Sequence, residues 1–452
     1  MKITLIGAAG VRTPLLVHGL AGAAQNTKLD ELALWDIDRE RLAVMGRVAG
    51  AMGKQVGLTA RLKVFSDLDR ALEGADFIIT SIRVGGIDAR VKDETIALAH
   101  GLVGQETVGA GGFACAMRNL PAMLQYARLI ERVAPGATLI NFTNPVGIIS
   151  QGILNHSGVR ILGVCDTPLE TFESIAKALS RNPFELRFDY IGLNHLGWVR
   201  SIRDAEGTEL LPIILSSPEL IRKCYRHELF PVDFIQNLAL LPTEYLYFYY
   251  FPQAAYENTR RNGRSRGQAI AAMNTGLFGK LARASEAELI GIYENYLRER
   301  NASYFSIEAT AGKRRQEGLE LYSEFSGYER IALLVLQALQ SDRPVFIPLT
   351  VRNLKSLEDL DPNDAVELPC LVSSSGVQAP PVGHAPETVR SLLLQVKEYE
   401  RLTVRASLEH SPQAALAALV KNPLVGRPEV AHAVLAEYVN AFGSQMALQT
   451  SC

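Results

Sequence analysis

Cys165 and His195 lie about thirty residues apart, a spacing used by no local zinc motif, so they can share a metal only if the fold brings two strand ends together. Each also has an ordinary use. A cysteine at a strand end fills core space, and a histidine satisfies a polar neighbour. As a pair they suit Mn²⁺ or another first-row divalent ion, with coordination positions left open for a ligand's hydroxyls. Tyr245 offers a phenol inside the aromatic block PTEYLYFYY at 242–250, whose other tyrosines read as packing. Fixed charge gathers in two places. The first runs from SIRVGG at 81–86 (Ser81, Arg83) through Arg90 to Glu106 in GQET and the glycine-rich 109–112, a mix of charge and mobile backbone suited to a loop that covers a substrate. The second is Arg260, Arg261, Arg264 and Arg266, which either grip a phosphate bidentately or form a solvated helix start. Asn144, in NFTNP, and Asp166, directly after Cys165 in GVCDTP, complete the polar residues that follow apolar runs.

A cofactor end lies upstream. The turn Gly7, Ala8, Gly10, Arg12 follows an apolar run and opens a helix, where glycines let backbone amides approach a pyrophosphate. It is short of the full G-x-G-x-x-G, and such a turn also serves as a plain tight connection. The second apolar run ends at Asp36, placed to accept from a ribose 2′-hydroxyl, which favours NAD over NADP. Asp36 and Asp38 also fit as helix caps, Asp38 the better of the two.

These residues need elements to hold them at one crevice. Short apolar runs at Lys2–Ile6, 31–36, 76–81, 138–142 and 160–164 alternate with helical stretches, as in a parallel sheet covered on both faces. From about residue 170 the pattern is mixed: a strand at 188–192, a long helical region at 264–340, strands at 345–349 and 365–372, then helices. The fold expected is therefore α/β, a Rossmann-like doubly wound parallel sheet over residues 1–170, followed by an α+β substrate and catalytic domain over 171–452. Residues 373–386 read as a loop.

Composition narrows the function classes. With 452 residues, 48% hydrophobic, the chain can bury two cores, and a net charge of −2 gives no field for nucleic acid or an anionic membrane. No apolar run approaches a membrane span and no cleavable leader is evident, so the expectation is a cytoplasmic protein. The five cysteines, Cys115, Cys165, Cys224, Cys370 and Cys452, are odd in number and scattered, which argues against a disulfide framework. Apolar C-terminal helices point to a homodimer or homotetramer.

Taken together, GxxGxR near the N-terminus, SIRVGG, GQETVGAGGF, NFTNP, GVCDTP, GLNHLGW and PTEYLYFYY resemble glycoside hydrolase family 4 in order and spacing over the first 270 residues, and DAVELPC and residues 395–425 are similar too. The resemblance implies a nucleotide domain related to the lactate and malate dehydrogenases, NAD and Mn²⁺ as cofactors, and cleavage of a sugar-phosphate glycoside by oxidation at C3, elimination and water addition. It implies Cys165 and His195 as metal ligands and Tyr245 as the base at C2. Asp166 stands where α-cleaving members carry a general acid, Asn144, Arg90 and Arg266 at substrate positions, and Glu106 where some members carry an acid that tunes the tyrosine. The arginine cluster, SIRVGG and PTEYLYFYY favour 6-phospho-β-glucosides; Asp166 favours the α-anomer. Family members also include α-galactosidases and α-glucuronidases. A malate- or lactate-type 2-hydroxy-acid dehydrogenase is the rival of another class, given Asp166, His195 and the Asn-Pro. Cys165, the 104–112 segment, Tyr245 and the length argue against it, and a non-catalytic NAD-binding protein is a third reading.

Overall fold

The computed structural model describes residues 1–24, 28–225, 227–308, 321–322 and 327–448. Cys452 and the stretches 309–320 and 323–326 of the expected helical region lie outside them. Twelve strands are described: β1 Lys2–Ile6, β2 Glu31–Trp35, β3 Arg61–Val64, β4 Phe77–Thr80, β5 Thr138–Asn141, β6 Arg160–Gly163, β7 Arg187–Leu193, β8 Leu196–Arg203, β9 Leu241–Pro242, β10 Val345–Arg352, β11 Ala365–Ser373 and β12 Gly376–Gln378. The first six are parallel in the order β3-β2-β1-β4-β5-β6. The order reverses between β1 and β4, and open α/β sheets hold ligands at that switch, outside the carboxyl ends of the strands. β1, β2, β4, β5 and β6 are almost wholly buried because helices cover both faces. β3 escaped the sequence reading for a physical reason. It is an exposed edge, RLKV, whose Lys63 and Arg61 reach Glu31 on β2 at 2.6 and 3.8 Å, so it carries edge charge rather than core apolarity.

The sheet does not end with β6. β10 pairs antiparallel to it through Thr350 and Gly163, and β11 and β12 follow, making nine strands in one sheet. The approach needs glycine: a Cβ at Gly163 would lie 2.6 Å from Ser150 Oγ and 2.8 Å from Thr350 Cβ. Strands expected to belong to a separate α+β unit thus complete the N-terminal sheet. A second, antiparallel sheet, β7-β8-β9, stands beside it, with β7 and β8 joined by the two residues Asn194 and His195.

The C-terminal helices Glu387–Glu409, Pro412–Lys421 and Pro428–Phe442 turn their apolar faces inward, burying Val389, Leu393, Val396, Leu419 and Val434. Those faces are covered within the chain. Helix Glu387–Glu409 also buries Lys397 completely, where its ammonium meets Glu400, the Ala365 carbonyl at 2.7 Å and Gln151 Oε1 at 3.3 Å. Replacing one member of a buried pair leaves the other charge without compensation. Lys397→Met is expected to destabilise the protein by about 3 kcal/mol or more, and Lys397→Met with Glu400→Leu by clearly less, measured by urea unfolding. Among the described residues no helix is long and apolar enough to cross a membrane.

Candidate active site

The crevice at the switch is a cleft of about 680 Å³ whose walls include Gly7, Asp36, Ser81, Arg90, Glu106 and Asn144. Gly7 begins the turn after β1 with φ +96, and a Cβ there would sit 2.3 Å from the Ser81 carbonyl oxygen, so no other residue fits without moving the β4 end. The amides of Gly7 and Ala8 both donate to the Trp35 carbonyl at 3.1 Å, fixing the turn against β2, and the helix Thr13–Ala24 opens from it. The two aspartates after β2 divide their roles. Asp38 caps helix Arg39–Gln55 through the Arg41 amide at 2.9 Å. Asp36 instead accepts from the Ala9 and Asp38 amides, both at 2.9 Å, and its carboxyl lines the cleft, pushed above the usual carboxylate range by burial.

Further along, Glu106 is the hub of the charged end. Arg83 contacts one carboxylate oxygen and Arg90 the other at 2.9 Å, while Arg90 Nε reaches Glu94 at 2.9 Å. Burial alone would raise the Glu106 carboxyl, but Arg83, Arg90, Arg266 and Arg300 outweigh it and hold it at about 2. Glu94 also accepts from the Gly267 amide at 2.5 Å, locking the start of helix Arg266–Leu281 against this end. Behind it, Arg118 and Asp93 form a fully buried two-point pair at 2.8 and 2.6 Å.

The glycine-rich 109–112 segment is not a covering loop. It begins the helix Gly109–Val133 and is buried, and a Cβ at Gly111 or Gly112 would strike the Gln105 carbonyl oxygen at 2.2 Å or the Thr107 backbone at 2.5 Å. Its glycines serve close packing that holds Glu106 still. The basic cluster also splits. Arg260, Arg261 and Arg264 are exposed, and only Arg266 turns inward, bonding the Ser303 carbonyl and lying 5.1 Å from the Tyr304 ring.

Asn144 follows β5, with a cis peptide to Pro145; its side-chain Oδ1 is buried without a partner among the described residues and belongs to the cleft wall. An uncompensated buried acceptor at a cleft is a place for a ligand hydroxyl. Cys165, Asp166, His195, Tyr245 and Arg266 are not on the walls of this cleft. They lie beside it, Cys165, His195 and Tyr245 buried and Asp166 and Arg266 half-buried, and Arg12, on the cleft wall, is 4.0 Å from Asp166 and stacks on Tyr328 at 4.3 Å. His195, at φ +63 in the β7–β8 turn, lies flat on Tyr245, ring centres 3.8 Å apart. Burial drives the His195 imidazole down to about 4 against the pull of Asp166 and Glu106, so it is a neutral donor at pH 7. Burial, then Glu106 and Cys165, push the Tyr245 phenol above its ordinary value, opposed by a hydrogen bond from Tyr304. Burial, Asp166 and Glu367 likewise raise the Cys165 thiol, whose sulfur is 3.3 Å from Thr167 Oγ1. Among the described residues no group of three His, Cys, Asp or Glu side chains is placed to hold a metal ion.

Several residues of the site gave no signal in the sequence. Tyr304, in the turn after helix Leu289–Ala302, and Tyr328, the first residue of helix Tyr328–Ala338, touch Tyr245 and Arg12 but carry no local motif. Glu367, in DAVELPC on β11, accepts from Tyr190 Oη at 2.6 Å and Asn194 Nδ2 at 3.2 Å, tying the His195 turn to the large sheet. Its cross-chain partners are invisible to local pattern.

The family description "Family 4 glycosyl hydrolase" matches residues 2–181, and that of the family's C-terminal domain residues 190–425. A probable 6-phospho-beta-glucosidase of Bacillus subtilis is 28% identical over 98% of this chain and 96% of its own length. The solved 6-phospho-beta glucosidase of Thermotoga maritima with manganese, NAD⁺ and glucose-6-phosphate is 26% identical, with a TM-score of 0.82, over 99% of this chain and 100% of that one. A 6-phospho-alpha-glucosidase from gut microorganisms, in complex with NAD and glucose-6-phosphate, is 26% identical with a TM-score of 0.76 over 98% and 97%.

Proposed function

This chain belongs to glycosyl hydrolase family 4 and is a glycosidase, and from that premise we propose that it hydrolyses 6-phospho-β-glucosides with NAD and a divalent metal such as Mn²⁺. The observation that carries the reading is the cleft whose one end is marked by Asp36 and whose other end is rich in arginine, room for a dinucleotide beside a phosphorylated sugar. The β preference rests on the SIRVGG and PTEYLYFYY forms of the sequence; Asp166, expected of α-cleaving members, stands against it.

The residues suit both cofactors. The Gly7–Arg12 turn opens helix Thr13–Ala24, whose N-terminus suits a pyrophosphate, and Asp36, on the cleft wall, would accept from a ribose hydroxyl. When bound, NAD⁺ supplies reversible hydride acceptance at the sugar's C3, and a divalent ion on Cys165 and His195 supplies polarisation of the oxygen there. The neutral His195 is a ready donor, and loss of the Cys165 proton accompanies metal binding.

The chain's own groups do the rest. Asn144 Oδ1 accepts from a sugar hydroxyl, and Arg90 and Arg266 orient the ring. Tyr245 takes the proton from C2, and a cation nearby would offset the burial that otherwise keeps its phenol protonated. Asp166 donates to the departing aglycone oxygen. Glu106, bound by two arginines, sets the charge felt by both His195 and Tyr245.

The test is release of 4-nitrophenol from matched 6-phospho-β- and 6-phospho-α-glucosides, with and without NAD⁺ and Mn²⁺. Release from the β compound needing both additives is expected. Release from the α compound alone would reverse the anomer, and no release from either, with NAD⁺ binding verified, would remove the assignment.

A further inference from the structure

The arginines around the charged end divide by whether an acid answers them. Arg118 has Asp93, Arg90 has Glu94, Arg83 has Glu106 and Arg12 has Asp166. Two remain. Arg266 gives its guanidinium to the Ser303 carbonyl and hydroxyl and has no ion pair among the described residues; Tyr304, the half-buried Glu308 and Glu106 act on it only through space. Arg300, in the last turn of helix Leu289–Ala302, lines the cleft, and among the described residues no hydrogen bond or ion pair engages its side chain. The two are linked through Ser303, whose amide and hydroxyl donate to the Arg300 carbonyl.

A half-buried guanidinium on a cleft wall with no protein acceptor among the described residues keeps its forked donors available to an anion. Burial, Arg12, Arg266 and Arg90 lower the Arg300 side chain to about 10, the sign of a local surplus of positive charge. A phosphate monoester carries a charge near −2 at neutral pH, matching the two unanswered arginines. The pyrophosphate of a dinucleotide has another partner in the Gly7–Arg12 turn and the helix behind it. We propose that Arg300, supported by Arg266, is the residue that takes the phosphate group of the sugar and makes the site selective for phosphorylated substrates. This rests on the 6-phosphoglucosidase reading.

The test is calorimetric binding of glucose 6-phosphate, glucose and NAD⁺ to the full-length wild type and to Arg300→Ala, Arg300→Lys and Arg300→Gln. Arg300→Ala is expected to weaken glucose 6-phosphate by about tenfold or more while leaving NAD⁺ affinity within about twofold, with part of the loss recovered in Arg300→Lys. Unchanged NAD⁺ binding doubles as evidence of an intact fold, and Arg300→Gln carries the comparison if the alanine variant does not fold. Two results overturn the proposal: glucose 6-phosphate binding that is unaffected, or a loss of NAD⁺ affinity in its place, which would move Arg300 to the pyrophosphate. A wild type that binds glucose as well as glucose 6-phosphate overturns the phosphoglucosidase reading and this proposal together, whereas a selective wild type with selective variants overturns this one alone.

Discussion

Tyr245→Phe is expected to lower kcat on a 6-phospho-glucoside by about 10²–10⁴-fold, the range for loss of a positioned general base, while KM moves little. The geometry favours a chemical rather than a packing effect. The ring stays in the same stack, 3.8 Å from His195 and edge-on to Phe305 at 5.8 Å, so phenylalanine preserves every apolar contact and removes only the hydroxyl. That hydroxyl is bonded by Tyr304 and sits within electrostatic reach of Glu106, Cys165 and Asp166. The decisive readout is exchange of the sugar's C2 hydrogen with solvent: the variant should lose it in proportion to kcat. A variant that keeps exchange while losing turnover would place the base elsewhere.

The second large effect is expected at the other end of the cleft. Gly7→Val puts a branched side chain where even a Cβ would stand 2.3 Å from the Ser81 backbone oxygen, at a φ of +96 that a β-branched residue resists. The turn must move, and with it the amides of Gly7 and Ala8 held by Trp35 and the Ala9 amide that fixes Asp36. NAD⁺ affinity is expected to fall by about a hundredfold or more, and the melting temperature by several degrees, since strain of this kind costs about 1–3 kcal/mol or more. Fluorescence titration and a thermal scan read both. Asp36→Asn keeps the turn and should affect NAD⁺ far less than Gly7→Val; equal losses would mean that the turn geometry is not the controlling feature.

The parallel sheet could be read from the sequence because its strands are short apolar runs and burial on both faces demands that composition. The joining of β10 to β6 could not. It depends on Thr350 meeting Gly163 across almost two hundred residues, and nothing local to either records the partner. At the site, Cys165, His195 and Tyr245 stood out through the resemblance to glycoside hydrolase family 4, since by residue type alone a strand-end cysteine or histidine and a tyrosine in an aromatic block are ordinary packing residues. Arg300 did not, since an arginine in the last turn of a helix is what the helix dipole favours anyway. Gly111 and Gly112 show the converse: glycines that read as mobility are there for close contact, with the Gln105 and Thr107 backbone.

Hydrolysis run in D₂O with NAD⁺ and Mn²⁺, followed by NMR of the released glucose 6-phosphate, tests the oxidation and elimination route most directly. The account predicts deuterium at C2 and no turnover once NAD⁺ is removed. Product with hydrogen retained at C2, formed equally well without NAD⁺, would mean direct displacement at C1 by a pair of carboxylates and would contradict it.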